Sequence, residues 1–239
     1  MSALAVFFVA IGIADICRRI IDRRWLTLCC GPVAALVCAL LAGLWHAGDL
    51  VLVVIGAAAI VGWVQLCART ERDGARPAAP LLVFGAAVAV LGALAGWASP
   101  VAGLVGRWLP WVGLDSVDPT HAVMTVGVVL LQLVTGNQLV RLVLGSVGAV
   151  RPAGEPQPSD RLKGGRLLGP MERLLILGLG LGGQLAAATT VIAAKGIIRF
   201  PELNSQRREG SSGIDELTEY FLVGSFASWL LALAGIGLA

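Results

Sequence analysis

Three polar side chains, Arg173, Gln184 and Lys195, are spaced by eleven residues within an otherwise apolar stretch of the sequence. Eleven residues advance an α-helix by about three turns plus 20°, so these side chains share one stripe of a helix. A polar stripe on a membrane-spanning helix faces protein or water, which indicates a polar path or binding groove with Gln184 at mid-depth. The simpler alternative is that Arg173 and Lys195 extend to opposite headgroup layers while Gln184 bonds a neighbouring helix.

The helix that must carry this stripe is uncharged from Leu174 to Ala194, a run of 21 residues. At about 1.5 Å per residue it reaches roughly 30 Å, the thickness of a bilayer's hydrocarbon core. Its glycines formally spell G-x-G-x-x-G, but no strand precedes them, so a dinucleotide site is not indicated. Gly178 and Gly182, four residues apart, instead predict a close-packing face, which would suit a homo-oligomer.

Further polar side chains are predicted near the ends of other apolar runs. Asn137 and Arg141 share a helical face, and Asp15 could pair with Arg141 or, locally, with Arg18 or Arg19. Lys195 and Glu219 have similar predicted depths, and an ion pair between them would hold Lys195 near the membrane. The candidate binding or polar-core residues are therefore Arg173, Gln184, Lys195, Glu219, Asn137, Arg141 and Asp15.

Catalytic and metal-binding motifs are absent from the sequence. There is no H-E-x-x-H, G-x-S-x-G or P-loop pattern, and no pair of aspartate-rich motifs for diphosphate–magnesium chemistry. The two histidines, His46 and His121, lack ligand spacing and are interpreted as interfacial polar residues. None of the five cysteines forms a C-x-x-C, which argues against a disulfide framework or zinc site. We predict no catalytic residue, metal or cofactor, and an enzyme is the least favoured class.

Composition identifies the class of protein. The 239 residues are 57% hydrophobic and 14% charged, with a mean hydropathy of +0.84. Soluble domains carry about a quarter charged residues, so this chain has too few to coat a water-facing surface. The net charge of +3 comes from basic clusters between apolar runs, which indicates membrane topology and not nucleic-acid binding.

The hydropathy pattern predicts an all-α, polytopic membrane bundle of about seven spans in a single transmembrane domain, 1–239. Tryptophans and prolines in 99–119 predict an interfacial segment with little regular structure. Asp118 and Pro119 are typical of an N-cap and first helical position. The predicted spans are 2–17, 25–45, 50–67, 80–98, 120–141, 171–198 and 217–239.

Loop charges predict the orientation, with the N-terminus outside and the C-terminus in the cytoplasm. The proposed cytoplasmic loops carry four (18–24), three (68–79) and four (151–169) Lys or Arg residues. The proposed outside loops carry none (46–49), one (99–119) and three (199–214). The last is the weak point, because the rule favours a cytoplasmic position for Arg199, Arg207 and Arg208. The Pro/Gly-rich segment 151–169 is predicted to be a mobile cytoplasmic loop.

Several short patterns in the last 110 or so residues are shared with a known family. They are Glu172-Arg173, Gly183-Gln184, Ala193-Ala194-Lys195, Arg199-Phe200, and Glu219-Tyr220 followed by Gly224, with Gly136-Asn137 and Val140-Arg141 before them. Together they resemble the C-terminal part of a bacterial polytopic membrane-protein family classified as a domain of unknown function. The family's opening helix carries a His and a Gly-Asp pair, whereas only Asp15 remains here. The resemblance implies that Arg173, Gln184, Lys195 and Glu219 belong to one site or packing core.

These observations lead to three functional expectations for a multi-pass protein of the bacterial plasma (inner) membrane, in contact with membrane lipids. The first is a small transporter or a lipid- or amphiphile-handling protein that uses the polar stripe. The second is a non-catalytic membrane subunit or scaffold, which docks a homo-oligomeric or membrane-complex partner. The third is an intramembrane enzyme.

Overall fold

The computed structural model describes residues 1–21, 23–74, 76–150, 165–208 and 214–239, with side chains described for 167–197 and 218–239 in the last two ranges. Within these residues the secondary structure is helical, without a strand. Short 3₁₀ (Ala95–Trp97) and π (Leu131–Thr135) segments accompany ten α-helices. These are α1 (Ser2–Ile20), α2 (Arg24–Ala42), α3 (Ala47–Asp73), α4 (Ala78–Ala93), α5 (Leu104–Trp111), α6 (Pro119–Leu130), α7 (Gly136–Ser146), α8 (Gly165–Leu181), α9 (Leu185–Arg208) and α10 (Ile214–Leu238).

The helices form two compact units. The first contains Met1–Thr135 and Leu238–Ala239, and the second contains Gly136–Gly237. In the first unit α1 is central, since it packs against α2, α3, α4 and α6 and its residues from Ser2 to Gly12 are all buried. Phe7 and Phe8 of α1 contact Phe84, which in turn packs against Trp63 at 5.6 Å between ring centroids. An apolar helix enclosed by other apolar helices gives this unit its core.

Four helices are long and apolar enough to cross a membrane: Arg24–Ala42, Ala47–Asp73, Pro119–Ser146 and Thr218–Leu238. Their outer faces are also apolar. Exposed side chains of α2 include Leu26, Val33, Leu36, Val37, Leu40 and Leu41. Contiguous exposed apolar surface of this kind is typical of helices that face lipid.

The predicted continuous span 171–198 is wrong. The chain forms α8 and α9, separated by a turn at Gly182–Gln184 in which Gly183 has a φ of +72°. This left-handed conformation ends the helix and suits glycine because there is no Cβ to clash. The Gln184 N–H then donates to the Leu179 carbonyl at 2.8 Å, which closes the turn. The eleven-residue stripe assumed a straight helix and therefore does not exist as one face.

Two local predictions have different outcomes. Segment 99–119 was expected to have little regular structure, but it contains α5, on which Trp108 and Trp111 are exposed. The N-cap prediction is confirmed, since the Asp118 carboxylate accepts from the His121 N–H at 3.0 Å. Most of the predicted mobile loop 151–169 lies outside the described residues.

Replacement of Gly183 tests the turn directly. We expect Gly183→Ala to lower the free energy of unfolding by about 1–2 kcal/mol, because a Cβ strains the left-handed conformation. The measurement is equilibrium unfolding in mixed detergent micelles.

The matched control is Gly178→Ala. Gly178 lies within α8, and a Cβ added there would meet no other atom within 4 Å, so alanine should stabilise the helix by about 0.5–1 kcal/mol. If the chain formed one continuous helix here, both replacements would stabilise it. A stabilising Gly183→Ala would therefore contradict the hairpin.

Candidate functional site

The second unit contains a group of polar side chains contributed by four helices, which we call the polar cluster. Since α8 and α9 fold back on each other, residues far apart in sequence meet in this cluster. Its members are Asn137 of α7, Glu172 and Arg173 of α8, Lys195 of α9, and Ser228 and Trp229 of α10.

An ion pair joins the two arms of the hairpin. The Lys195 Nζ donates to the Glu172 Oε2 at 2.5 Å, although a straight helix would separate these residues by about 35 Å. The other carboxylate oxygen, Oε1, accepts from the Trp229 Nε1–H at 2.9 Å. The Trp229 ring also lies 5.9 Å from Nζ, within range for a cation–π contact. The pair is partly accessible, with 24% of the Lys195 side chain and 11% of the Glu172 side chain exposed.

Arg173 is fully enclosed, with only 1% of its surface exposed. Its Nη2 donates to the Asn137 Oδ1 at 2.7 Å, and its Nη1 donates to the Ser228 Oγ at 3.2 Å. A buried guanidinium is costly unless its N–H groups are satisfied. These bonds therefore tie α8 to α7 and to α10.

Gly136 makes room for the guanidinium. A Cβ at this position would lie 2.9 Å from Arg173 Nε and 3.1 Å from its central carbon. The planar guanidinium group of Arg173 therefore packs against the backbone of Gly136. Gly136 supplies the space, and Asn137 supplies a hydrogen-bond acceptor.

The structure assembles only part of the predicted site. Arg173, Lys195 and Asn137 lie in the polar cluster, but Gln184 is exposed in the turn and not at mid-helix. Glu219 is also exposed, and the carboxylate beside Lys195 belongs to Glu172 instead. Arg141, expected to share a polar face with Asn137, is exposed as well.

Asp15, the remaining candidate, lies in the first unit. Its Oδ1 accepts from the Trp63 Nε1–H at 3.1 Å and lies 3.6 Å from the Arg18 Nε. Of the pairings considered from sequence, the structure shows the local one with Arg18. Asp15 is 1% exposed and forms a buried polar centre within the first unit.

His46 has a capping role in the first unit. His46 and Asp49 form a reciprocal capping box at the start of α3, and Asp49 also accepts from the Ser99 N–H at 2.7 Å. The Ser99 Oγ lies 2.9 Å and the Asp49 Oδ2 3.6 Å from the same ring nitrogen, Nδ1. A catalytic relay needs the nucleophile and the carboxylate on opposite ring nitrogens, so this arrangement anchors a loop.

The glycine that allows close packing lies two residues after the predicted one. Gly178 faces open space, whereas a Cβ at Gly180 would lie 2.2 Å from the Ile236 side chain. Gly180 thus allows the close approach of α8 and α10 within the second unit. The core beside it is formed by Ile176, Ala188 and Ala232.

Sequence reasoning missed the ion-pair role of Glu172, and on α10 it selected Glu219 and not Ser228 or Trp229. The predicted span 171–198 places Glu172 in the first turn of a helix, but α8 begins at Gly165 and contains Pro170 in its interior. The available signal for α10 was Ser225, Ser228 and Trp229, since Ser225 and Ser228 share a face of an apolar span and both are buried.

Among the residues that the structure describes, no group of three or more His, Cys, Asp or Glu could hold a metal ion. Comparison of the chain with protein-family models, with curated proteins and with solved structures gave no match. The geometry therefore carries the functional argument.

A double-mutant cycle tests the ion pair of the hairpin. Lys195→Met and Glu172→Gln should each lower the free energy of unfolding by about 2 kcal/mol, between the values for exposed and buried pairs. The double variant should cost clearly less than the sum, because the two residues interact directly. Equilibrium unfolding of the four proteins gives the coupling energy.

Glu219→Gln is the matched control, since it removes the carboxylate that sequence reasoning placed beside Lys195. Its effect should add to that of Lys195→Met within about 0.5 kcal/mol. Coupling to Glu219 with additivity at Glu172 would contradict the ion pair between Lys195 and Glu172.

Proposed function

We propose that this chain is a multi-pass protein of the bacterial inner membrane that binds and handles a small amphiphile, as a transporter or lipid-handling protein, through the polar cluster. The observation that carries the proposal is the partly accessible ion pair between Lys195 and Glu172. Charges within apolar helices are expensive, and they mark sites for substrates, ions or polar headgroups.

The chemistry of the ion pair suits an amphiphile. The Lys195 ammonium can release Glu172 and bind a phosphate or carboxylate group, while Trp229 offers an apolar ring beside it. Apolar surfaces continue from this point, since Leu222, Phe226, Leu230 and Leu233 of α10 are exposed. A polar head and an apolar tail would therefore both find a complementary surface.

The same hairpin supports a revised topology. With α8 and α9 as a hairpin, the start of α8 and the end of α9 lie on one side, so the revised topology makes the Arg residues of the weak point cytoplasmic. We propose six spans plus this hairpin, with both termini outside. The Ala239 carbonyl lies 3.3 Å from His121 Nδ1, and His121 begins the span that follows the outer loop 99–119, which supports an outside C-terminus.

The family resemblance groups Arg173, Gln184, Lys195 and Glu219 in one site or packing core. Arg173 and Lys195 lie in the polar cluster, whereas Gln184 and Glu219 are exposed outside it. The resemblance therefore agrees with the proposed site only at Arg173 and Lys195.

The alternative function is a non-catalytic subunit or scaffold. The observation in its favour is the open space beside Gly178, on a helix whose Leu175 and Met171 are also exposed. Small residues let a partner helix approach closely, so this face could receive a second copy of the chain or another membrane protein.

The loss of a bound amphiphile tests the proposed function. We expect protein released from membranes in mild detergent to carry an amphiphile detectable by native mass spectrometry. In Lys195→Met the fraction of protein that carries the amphiphile, at a fixed lipid concentration, should fall. The fall should correspond to at least about tenfold weaker binding, roughly 1.4 kcal/mol, because the headgroup loses the Lys195 ammonium.

Arg69→Met is the control, since it removes an exposed positive charge in the first unit. It should leave the amphiphile bound. Equal binding to the wild type and Lys195→Met would overturn the amphiphile proposal. Loss of a multimeric assembly in Lys195→Met, without loss of a ligand, would favour the subunit.

Single cysteines in a cysteine-free background test the topology. In intact cells a membrane-impermeant maleimide should label Ala239→Cys but not Arg207→Cys, because six spans and a hairpin place these positions on opposite sides. Asp115→Cys and Asp73→Cys serve as the outside and cytoplasmic references. The seven-span arrangement with a cytoplasmic C-terminus requires the reverse pattern at positions 207 and 239.

A further inference from the structure

The buried carboxylate of Asp15 is incompletely satisfied in the first unit. Its Oδ1 accepts a hydrogen bond from Trp63 at 3.1 Å, but its Oδ2 is buried without a hydrogen-bond partner. A buried carboxylate oxygen without a donor is costly, so each such case calls for a physical explanation such as a bound water or ion.

Arg18 neutralises Asp15 only in part. The Arg18 Nε lies 3.6 Å from Asp15 Oδ1 and makes no hydrogen bond there, whereas its Nη1 donates to Glu71 Oε1 at 3.1 Å. The guanidinium charge is thus shared with a second carboxylate, which lies nearer the surface, with 39% of its side chain exposed. The Arg18 guanidinium therefore contacts two carboxylates.

A second buried oxygen without a partner among the described residues lies in the π segment, which packs against α1. Thr135 ends this segment and is fully buried, and its hydroxyl, like Asp15 Oδ2, has no hydrogen-bond partner in the part of the chain that the structure describes. Gln132, one turn earlier in the same segment, is also fully buried. π-helical segments in α-helices occur frequently at functional sites, since they redirect side chains and carbonyls.

The surrounding charges come from α1 and α3. Arg18 and Arg19 of α1 both lie near enough to interact electrostatically with the Asp15 carboxylate. Arg19 Nη2 also donates to the Val134 carbonyl of the π segment at 2.9 Å. Glu71 of α3 affects the charge near Asp15 indirectly, because its carboxylate accepts a hydrogen bond from Arg18. On α2, the Cys30 thiol faces Cys17 of α1.

We propose that Asp15 and Thr135 form a binding site for a small monovalent cation, a proton or Na⁺, between Asp15 Oδ2 and Thr135 Oγ1. A proton on Oδ2 would neutralise the carboxylate and donate to the Thr135 hydroxyl, so both buried oxygens would gain a partner. Na⁺ would do the same as a hard cation, which prefers carboxylate and hydroxyl oxygens. The site does not depend on the proposed amphiphile, since its residues belong to the first unit alone.

Labelling with dicyclohexylcarbodiimide tests this site, because the reagent modifies protonated carboxyl groups in apolar surroundings. The full-length protein in liposomes is treated across a pH series in K⁺ buffer, and the adduct at Asp15 is measured by peptide mass spectrometry. We expect labelling at low pH that falls about tenfold per pH unit above a midpoint. Asp15→Asn, which keeps the acceptor for Trp63, should abolish the adduct.

A parallel series in Na⁺ buffer distinguishes the two cations. Protection of Asp15 by Na⁺ but not by K⁺ would identify Na⁺ as a ligand, and equal labelling in both buffers would identify the proton; either result supports the site. Absence of an adduct at every pH in protein with a wild-type circular dichroism spectrum would overturn it. Labelling that depends on neither pH nor Na⁺ would also overturn it.

Thr135→Val separates a cation ligand from a bystander. Loss of the hydroxyl should move the labelling midpoint to lower pH, or weaken Na⁺ protection, because the bound cation loses an oxygen. A midpoint that rises or stays fixed would mean that Thr135 does not bind the cation and would overturn the two-residue site. The matched control is Thr125→Val, whose hydroxyl donates to the His121 carbonyl and which should leave labelling unchanged.

Discussion

The ion pair between Lys195 and Glu172 determines how the second unit can be arranged, because it connects two helices that adjoin in sequence and must fold back to meet. The turn at Gly183 makes the reversal sterically possible, and the ion pair holds the arms in register. Trp229 then joins α10 to the same carboxylate, and Arg173, the next residue, bonds α7 and α10 through Asn137 and Ser228. Two adjacent residues of α8 thus organise its three neighbours.

The first unit satisfies its buried polar groups in a different way. Asp49 is fully buried at the start of α3, but it accepts from two backbone N–H groups, those of His46 and Ser99. Asp15 has one strong donor, Trp63, and a shared guanidinium. Asp49 is thus fully satisfied as a structural anchor, whereas Asp15 keeps one carboxylate oxygen, Oδ2, without a hydrogen-bond partner among the residues that the structure describes.

Helix content follows from hydropathy, since long apolar runs bounded by charges admit few other structures in this composition, and four of the described helices are long and apolar enough to cross a membrane. Spans predicted at 25–45 and 50–67 correspond to α2 and α3, and the Asp118 cap lies where expected. The hairpin could not be derived in the same way. Membrane helices tolerate glycine, so Gly182 and Gly183 fit packing residues and a turn equally well.

The same ambiguity limited prediction of the site. Helical spacing aligned Arg173 with Lys195 through Gln184, but spacing is informative only within one unbroken helix. Once the chain reverses, Gln184 is carried to the exposed tip and Glu172 replaces it as the neighbour of Lys195. The excess of Arg residues in 199–214 was the remaining clue, because a charge count that conflicts with a topology can indicate a missing reversal.

Stability alone is a weak reason for ionic side chains in the polar cluster. Well-packed apolar residues often replace a buried ion pair without loss of stability, and sometimes with a gain. Apolar replacements could not, however, specify which face of α9 meets Glu172, since apolar packing is tolerant of small rotations. They would also remove the accessible ammonium of Lys195. The ion pair therefore fixes the register of the hairpin, and under the proposed function its opening would offer the Lys195 ammonium to a headgroup.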